Sequence, residues 1–249
     1  MVDSAPPRSA LEIPVSRWSD GLNGEEPERQ ARARTTRRAL LLAAAEQIDA
    51  RGYHAATLRD IVTAANVTKG ALYFHFDSKA ALTEALAAEV FASWQQIVAQ
   101  ISARRLDGLW QLMVETDAYV ARWSYDPLVR GFSRAVAESA DLHTERQAWL
   151  ADWLTATENG LGRAGHEGLL RPEVDARGVA QSLQALAMGH HTLAEMMPGA
   201  EGLWARMTRS WRSLLPVVAV DRWVENWRAS AWHDRAAPQA EVYLMARRP

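Results

Sequence analysis

The sequence predicts an all-α protein, and three observations lead to that class. Apolar residues recur at three- or four-residue intervals over most of the chain, which is the periodicity of an amphipathic helix. Helix-starting and helix-ending residues punctuate these stretches. The body of the chain has neither the alternating pattern of a strand nor an internal repeat.

Composition excludes several classes of protein. The chain has 249 residues, 48% of them apolar, which is enough for an ordinary packed core. It has no cysteine, so disulfides, thiol nucleophiles and thiolate metal sites are ruled out. No apolar run approaches the length of a membrane helix, and the N-terminus lacks the apolar centre of a signal peptide. We therefore expect a cytoplasmic protein.

The patterns divide the chain into four parts. Residues 1–28 contain prolines and glycines with little periodicity, and we expect a flexible arm. Residues 29–80 contain three predicted helices, two of them short. Residues 81–220 predict a C-terminal helical bundle. Residues 221–249 form an extension with tryptophans near helical spacing, and its end, EVYLMARRP, resembles a strand with no predicted partner.

The first predicted helix runs from about Arg34 to Arg51, and Gly52 is a natural stop. Thr57 with Asp60 three residues later has the spacing of a capping box and predicts the start of a short second helix. Asn66 tolerates the left-handed turn that ends this helix.

A second short helix follows directly, in the stretch TKGALYFHF. Thr68 is the expected N-cap of this helix, and Ser78 is the expected N-cap of the long helix that runs from about Lys79 to Ala103. The remaining predicted helices are Leu106–Trp123, Pro127–Ala140, Glu145–Ala164, Asp175–Met197 and Glu201–Val220.

Charge is distributed unevenly along the chain. The overall net charge is −2, but the segment from Arg29 to Lys79 has nine basic and four acidic side chains, a net charge of +5. The rest of the chain therefore carries −7. A basic head on an acidic body indicates that the head alone meets a polyanion.

Two short helices joined by a tight turn predict a helix-turn-helix, whose second helix enters the major groove of DNA. That helix is polar at its start, where Thr68, Lys69 and Gly70 would face the bases. Tyr73 and His75 are expected on the groove-facing side, near phosphate oxygens. We expect the intervening Leu72, Phe74 and Phe76 to turn back toward the first helix.

The order of residues from Thr36 to Glu89 resembles the DNA-binding signature of the TetR family of repressors. The matching positions are Gly52-Tyr53, Thr57, Ile61, Val67, Gly70, Leu72-Tyr73, His75-Phe76, Lys79 and Leu82. The resemblance implies a homodimer whose two reading helices bind a palindromic operator in successive major grooves. Base contacts are expected from Thr68, Lys69 and Gly70, and backbone contacts mainly from Thr57, Tyr73, His75 and Lys79.

The stretch WLTATENGLGRAGHEGLLRPEVD is similar to the γ-butyrolactone receptor subgroup of actinomycete repressors, as are GALYFHFDSKAAL and YDPLVRG. That resemblance implies a small lactone, furan or butenolide signal that releases the repressor from DNA. It makes Trp153 the counterpart of the tryptophan that lines the signal pocket, with Trp149 in reserve.

Ten of the eleven tryptophans lie between Trp94 and Trp232, as core residues or as the lining of an apolar cavity. The hydrophobic slot is expected from Trp110, Met113, Val114 and Met188. Polar atoms of the ligand are expected to meet the indole N–H of Trp153, Gln184 or His191.

Several alternatives stay open at this point. The same fold suits a multidrug-type sensor, a pseudo-receptor that answers to antibiotics, or an architectural DNA binder without a ligand. An enzyme is not expected, because no Ser-His-acid constellation, phosphate-binding glycine loop or paired metal motif appears. His190 and His191 are adjacent on a helix and point about 100° apart, so neither a metal site nor a cofactor is predicted.

Overall fold

A computed structural model describes residues 28–197, 202–230 and 232. These residues confirm the all-α class: they form helices throughout, with a single antiparallel bridge between Leu170 and Ala219. Their α-helices are α1 (Glu28–Arg51), α2 (Leu58–Ala64), α3 (Lys69–His75), α4 (Lys79–Ser102), α5 (Gly108–Tyr125), α6 (Pro127–Glu138), α7 (His143–His166), α8 (Ala176–Met196), α9 (Leu203–Val218) and α10 (Asp221–Ala229). A 3-10 turn at Ala140–Leu142 precedes α7.

The chain divides into two compact units. The N-terminal unit holds residues 28–96 and 122–149 of the described chain, and the C-terminal unit holds the rest. Three helices, α4, α5 and α7, contribute residues to both units. The expected arm, most of the extension and the strand-like end lie outside the described residues.

Helix termini follow the sequence signals closely, with one clear exception. The capping box at Thr57 and Asp60 forms, Asn66 has a φ of 52°, and Pro127 occupies the first turn of α6. The predicted start of α1 at Arg34 was wrong, because the helix begins at Glu28. The apolar stripe that set the predicted start marks only the buried part of α1. The first turns contain Glu, Arg, Gln and Ala, which are strong helix formers and need no core.

The core of the N-terminal unit lies between α1 and the helices packed against it, α2, α3 and α6. Gly131 of α6 lies directly on the α1 backbone, since a Cβ there would come within 2.4 Å of the Ala45 carbonyl oxygen. Gly52 has a φ of +87°, and a Cβ there would lie 2.7 Å from Glu138 Oε2. The two glycines allow α6 to pack closely along α1 and its C-terminal turn.

The core of the C-terminal unit contains an unusual share of tryptophan. Five indole rings are buried in it, those of Trp110, Trp211, Trp223, Trp227 and Trp232. Three of the five come from the predicted extension, which the described residues place inside this core instead of beside it.

Candidate nucleic-acid interface and effector-binding residues

The helix-turn-helix is built by two side-chain caps. The hydroxyl of Thr57 accepts a hydrogen bond from the Asp60 backbone N–H at 3.2 Å and donates to Asp60 Oδ2 at 2.6 Å. The hydroxyl of Thr68 accepts from the Ala71 N–H at 3.1 Å. These bonds satisfy N–H groups at the helix starts, so the turn and the orientation of α3 are fixed locally.

One face of α3 is buried and the other is open. Leu72 is fully buried and Phe76 is 5% exposed, as the sequence predicted. Phe74 is 75% exposed, so the expectation that it turns toward the first helix was wrong. The reason is angular: residues 72 and 76 are four apart and share a face, whereas residue 74 projects about 200° from residue 72.

The open face of α3 carries Gly70, Tyr73 and Phe74. Tyr73 is 46% exposed, and the ammonium of Lys69 lies 5.7 Å from the centre of its ring. A Cβ built on Gly70 would meet only the Thr68 hydroxyl oxygen, at 3.9 Å. Nothing inside the described fold therefore requires a glycine at position 70, and its backbone is accessible from outside.

His75 differs from Tyr73 in its surroundings. It is half-buried, and the centre of its ring lies 5.1 Å from the centre of the Phe74 ring. Desolvation is the larger cause that lowers its pKa, and the nearby Arg37 guanidinium is the smaller one. Arg37 itself lies over the Phe76 ring at 5.5 Å. His75 is thus at the edge of the open face. Phe74 lies at its centre, whereas the sequence analysis expected Tyr73 and His75 on the groove-facing side.

Lys79 and Thr57 both have structural partners within the fold. The Lys79 ammonium donates to the Tyr53 carbonyl oxygen and lies 4.2 Å from the centre of the Tyr53 ring. Desolvation lowers its pKa, partly offset by Glu138. The hydroxyl hydrogen of Thr57 is used by Asp60, whose pKa is lowered chiefly by that bond. Both side chains hold the loop between α1 and α2, so any phosphate contact would be additional.

The loop between α1 and α2 is also fixed from α6. The Tyr53 N–H donates to Glu138 Oε2 at 2.7 Å, and Arg134 Nε donates to Glu138 Oε1 at 2.8 Å. Arg130 forms an ion pair with Asp49 at 2.7 Å. The position of the helix-turn-helix is therefore tied to α6 by hydrogen bonds as well as by packing.

Seven of the eight predicted effector-binding residues belong to the C-terminal unit. Trp110, Met113 and Val114 are buried on one face of α5. Met188 is 41% exposed, so in the single chain it lies at the surface of α8. Trp149 belongs to the N-terminal unit, where its ring lies 5.9 Å from Trp123 and 6.4 Å from Phe132.

The polar candidates have defined surroundings. Trp153 stacks on Tyr119 at 4.9 Å, with the planes 20° apart. The Gln184 side-chain amide donates to the Leu150 carbonyl oxygen at 2.7 Å. Desolvation lowers the pKa of His191 from 6.5 to about 4, so this imidazole is neutral near pH 7.

Sequence reasoning missed two residues that lie among these candidates. Tyr119 is buried, and burial raises its pKa well above the usual value. Asp117 is also buried, and its Oδ2 accepts a hydrogen bond from Trp232 Nε1 at 3.1 Å. Asp117 lies three residues after Val114 in the same helical stripe, and that spacing was the signal that would have found it.

The described residues contain no group of three His, Cys, Asp or Glu side chains placed to hold a metal ion. His190 Nε2 is 2.7 Å from the Ser210 hydroxyl oxygen, which joins α8 to α9. Among the same residues, no helix is long and apolar enough to cross a membrane.

Comparison with known proteins places this chain in a family. Residues 40–86 match the family model for bacterial regulatory proteins of the tetR family. The A-factor receptor protein of Streptomyces griseus is 31% identical over 193 residues, which cover 77% of this chain and 66% of that receptor.

Two solved structures are similar over most of their length. TylP, a TetR regulator from Streptomyces fradiae, is 33% identical with a TM-score of 0.60, over 89% of this chain and 94% of TylP. CprB of Streptomyces coelicolor, in complex with its operator sequence, is 27% identical with a TM-score of 0.69, over 84% of this chain and 99% of CprB.

The chain belongs to the TetR family of transcriptional repressors, which is not an enzyme family. Within that family it is a regulator of the γ-butyrolactone receptor type, so the resemblance found in the sequence is confirmed.

Proposed function

We propose that this protein binds a palindromic operator as a homodimer and is released from it by a small apolar signal of the γ-butyrolactone, furan or butenolide type. The observation that carries the DNA-binding part is the open face of α3. The N-terminal end of α3 has the accessible main chain of Gly70 and the side chain of Lys69. In the major groove of DNA, these groups can contact base edges and phosphates.

Gly70 supports this assignment in a specific way. A glycine in a helix lowers helix stability relative to alanine, by up to about 1 kcal/mol. The structure gives no internal reason for that cost at position 70, where a Cβ would have room. A close approach by an outside partner supplies the reason, because a methyl group would hold the DNA away from the helix.

Dimerisation is proposed through the outer face of α8. Several apolar side chains of α8 and α9, including Leu183, Met207 and Trp211, are buried within the chain itself and are not available to a second copy. The apolar side chains left at the surface include Leu193, 40% exposed, and Met196, 74% exposed. A second copy that covers this face would bury them.

The effector is proposed to bind near the buried face of α5 in the C-terminal unit. Trp110, Met113 and Val114 offer apolar surface there, and the stacked Tyr119 and Trp153 rings offer a flat aromatic wall. The similarity to the A-factor receptor protein supports a receptor role, and the resemblance found in the sequence supplies the lactone class. Trp149 is not part of this proposed site, because its ring contacts lie in the N-terminal unit.

Release from DNA requires that the effector fit one of two conformations better than the other. A hundredfold loss of operator affinity corresponds to a coupling free energy of about 2.7 kcal/mol. Helix α4 starts directly after the helix-turn-helix and contributes residues to both units, so it is the element through which we propose that the coupling acts.

The test starts with selection of bound sequences from a random DNA pool, which yields the operator. Gly70→Ala is then compared with Gly162→Ala, a matched control in α7, where a Cβ would meet nothing within 4 Å. Both variants should fold with equal or greater stability. Gly70→Ala should lose at least tenfold in operator affinity while Gly162→Ala keeps the wild-type affinity.

Equal operator affinity in the two variants would exclude α3 as the reading helix. The effector is tested separately, by adding lactones, furans and butenolides to the preformed DNA complex. Release by structurally unrelated antibiotics, with no response to any of these compounds, would favour the multidrug-sensor alternative.

A further inference from the structure

The N-terminal part of α1 extends beyond the hydrophobic core of the N-terminal unit. Among the described side chains of this helix, the first buried one is that of Leu40, and none from position 30 to position 39 is buried. At a rise of about 1.5 Å per residue, these ten positions form about 15 Å of helix outside the core. Burial against the unit's own core therefore does not account for the side chains on these turns.

One stripe of α1 changes character where the core ends. Six residues at alternate intervals of four and three lie on this one face of the helix: Gln30, Arg34, Arg37, Leu41, Ala44 and Ile48. The last three are at most 2% exposed, whereas Gln30 and Arg34 are exposed and Arg37 is half-buried. The face that packs in the core from Leu41 onward is therefore polar and cationic in the turns before it.

Arg37 places the charge of this stripe beside α3. Its guanidinium carbon lies 5.5 Å from the centre of the ring of Phe76, the residue that ends α3. After desolvation, the charge of Arg37 is the second cause that lowers the pKa of His75, which lies at the edge of the open face. The cationic stripe thus reaches the open face at the C-terminal end of α3, and Arg34 lies one turn further from the core.

The two arginines of the stripe repel each other. They are three residues apart, and like charges at that spacing destabilise a helix. No acidic residue occurs between Glu28 and Glu46, so no carboxylate lies three or four positions from either arginine. A polyanion along this face would remove the repulsion, and its phosphate oxygens would accept charge-assisted hydrogen bonds from both guanidinium groups.

We propose that Arg34 and Arg37 bind operator phosphates that flank the bases facing α3, so that α1 is a second DNA-contacting element. The inference rests on the proposed function, because it extends the interface of the same complex. From Arg37 to Gln30 the stripe covers about 10 Å, and each DNA strand carries one phosphate per about 3.4 Å of helix axis. The stripe therefore spans about three phosphates, and its contacts are independent of base sequence.

The experiment measures operator affinity as a function of salt concentration for Arg34→Gln and Arg37→Gln. Arg32→Gln is the matched control, because it removes the same charge from an exposed position of the same helix. Position 32 projects about 160° from position 34 and about 140° from position 37. Long-range attraction to DNA is therefore lowered similarly in all three variants, and only the contacts of the stripe differ. Thermal unfolding checks that each variant is folded.

Replacing one arginine removes two phosphate contacts from a dimer. The slope of log affinity against log salt should therefore become about 1.8 smaller in magnitude in Arg34→Gln and in Arg37→Gln. At about 0.1 M salt the affinity of each should fall about tenfold, by the same factor for the operator and for unrelated DNA. Arg32→Gln should keep the slope of the wild type.

A second measurement locates the contacts on the DNA. Methylphosphonate substitution removes the charge of one operator phosphate at a time. At a phosphate bound by the stripe, it should weaken the wild type and Arg32→Gln but not the variant that lacks the arginine bound there. If no phosphate distinguishes the wild type from Arg34→Gln or Arg37→Gln, the proposal is wrong.

The salt slopes can also overturn the proposal. A slope reduced as much in Arg32→Gln as in the other two variants would reduce the effect to general attraction, and wild-type slopes in all three would exclude the contacts. A weaker Arg37→Gln with an unchanged slope would limit Arg37 to holding Phe76 in place.

Failure of the proposed function has a different signature. If selection from the random pool yields no preferred sequence, operator recognition is wrong, and the slopes measured on unrelated duplex DNA still test the contacts of Arg34 and Arg37. Absence of any DNA binding by the wild type would remove both the proposed function and this inference.

Discussion

The buried ion pair between Arg122 and Asp126 yields a stability prediction with a worked magnitude. Asp126 is fully buried and Arg122 is 3% exposed. Asp126 Oδ2 accepts from Arg122 Nε and Nη2, each at 3.2 Å. Arg122 Nη2 also donates to the Ser93 hydroxyl at 2.8 Å, and Asp126 Oδ1 accepts from the Leu128 N–H at 3.0 Å. One pair thus joins α4, the end of α5 and the start of α6.

Asp126→Asn removes the negative charge while keeping the size of the side chain and the oxygen that caps α6. It leaves a guanidinium in the interior without its counter-charge, and breaking a buried pair in this way costs about 3–5 kcal/mol. That is a large fraction of the roughly 5–15 kcal/mol that stabilises an ordinary domain. The measurement is urea unfolding, with the m-value checked for a constant change in exposed surface.

The matched control is Arg177→Ala, which removes an exposed pair with Glu158 at 3.5 Å and should cost no more than about 1 kcal/mol. A second variant, Arg122→Met combined with Asp126→Asn, removes the stranded charge and should recover most of the loss. If Asp126→Asn alone lowers the free energy of unfolding by less than about 1 kcal/mol, water solvates Arg122 or another group neutralises it. The reasoning from burial would then be refuted.

Three further predictions concern recognition, packing and pH. Phe74, on the open face of α3, should contact a thymine methyl group. Replacing one operator thymine by deoxyuracil should therefore lower the operator affinity of the wild type about three- to tenfold and leave that of Phe74→Ala unchanged. An equal loss of affinity in both proteins would show that Phe74 makes no such contact. Gly131→Ala should destabilise the protein by about 1–3 kcal/mol, because a methyl group cannot fit against Ala45, and it should also weaken operator binding. Thermal unfolding measures the loss of stability. An unchanged melting temperature would contradict the close packing of α6 on α1. His191 has a pKa of about 4 in the fold and 6.5 when unfolded, so the unfolded state binds more protons between these pH values. The free energy of unfolding should therefore fall as the pH is lowered through that window, and it should fall less steeply in His191→Gln. Parallel plots of unfolding free energy against pH for the two proteins would exclude a buried neutral imidazole.

The sequence predicted the local structure of the helix-turn-helix almost completely. Thr57, Asn66 and Thr68 fixed its caps and its turn, because capping bonds and left-handed residues act over three or four positions of the chain. The family resemblance had the same basis, since its motif residues are those that build these turns and the buried face of α3.

Facing and long-range contacts were harder to predict. The alternation of aromatic residues in LYFHF suggested that Phe74 is buried, but the helical angle places it outside. The bond between Trp232 and Asp117 joins residues 115 positions apart, and no local signal marks it. The same holds for the Tyr53 N–H on Glu138, which ties α6 to the loop before the helix-turn-helix.

By itself, the amino-acid sequence determined the helical class, the helix-turn-helix and the family, because helix periodicity, caps and motif spacing depend on neighbours along the chain. Only the tertiary structure decided which aromatic ring faces outward, which acid is buried, and where the C-terminal tryptophans lie. These outcomes depend on burial against residues distant in the chain, and burial sets both the cost of a charge and the need for a partner.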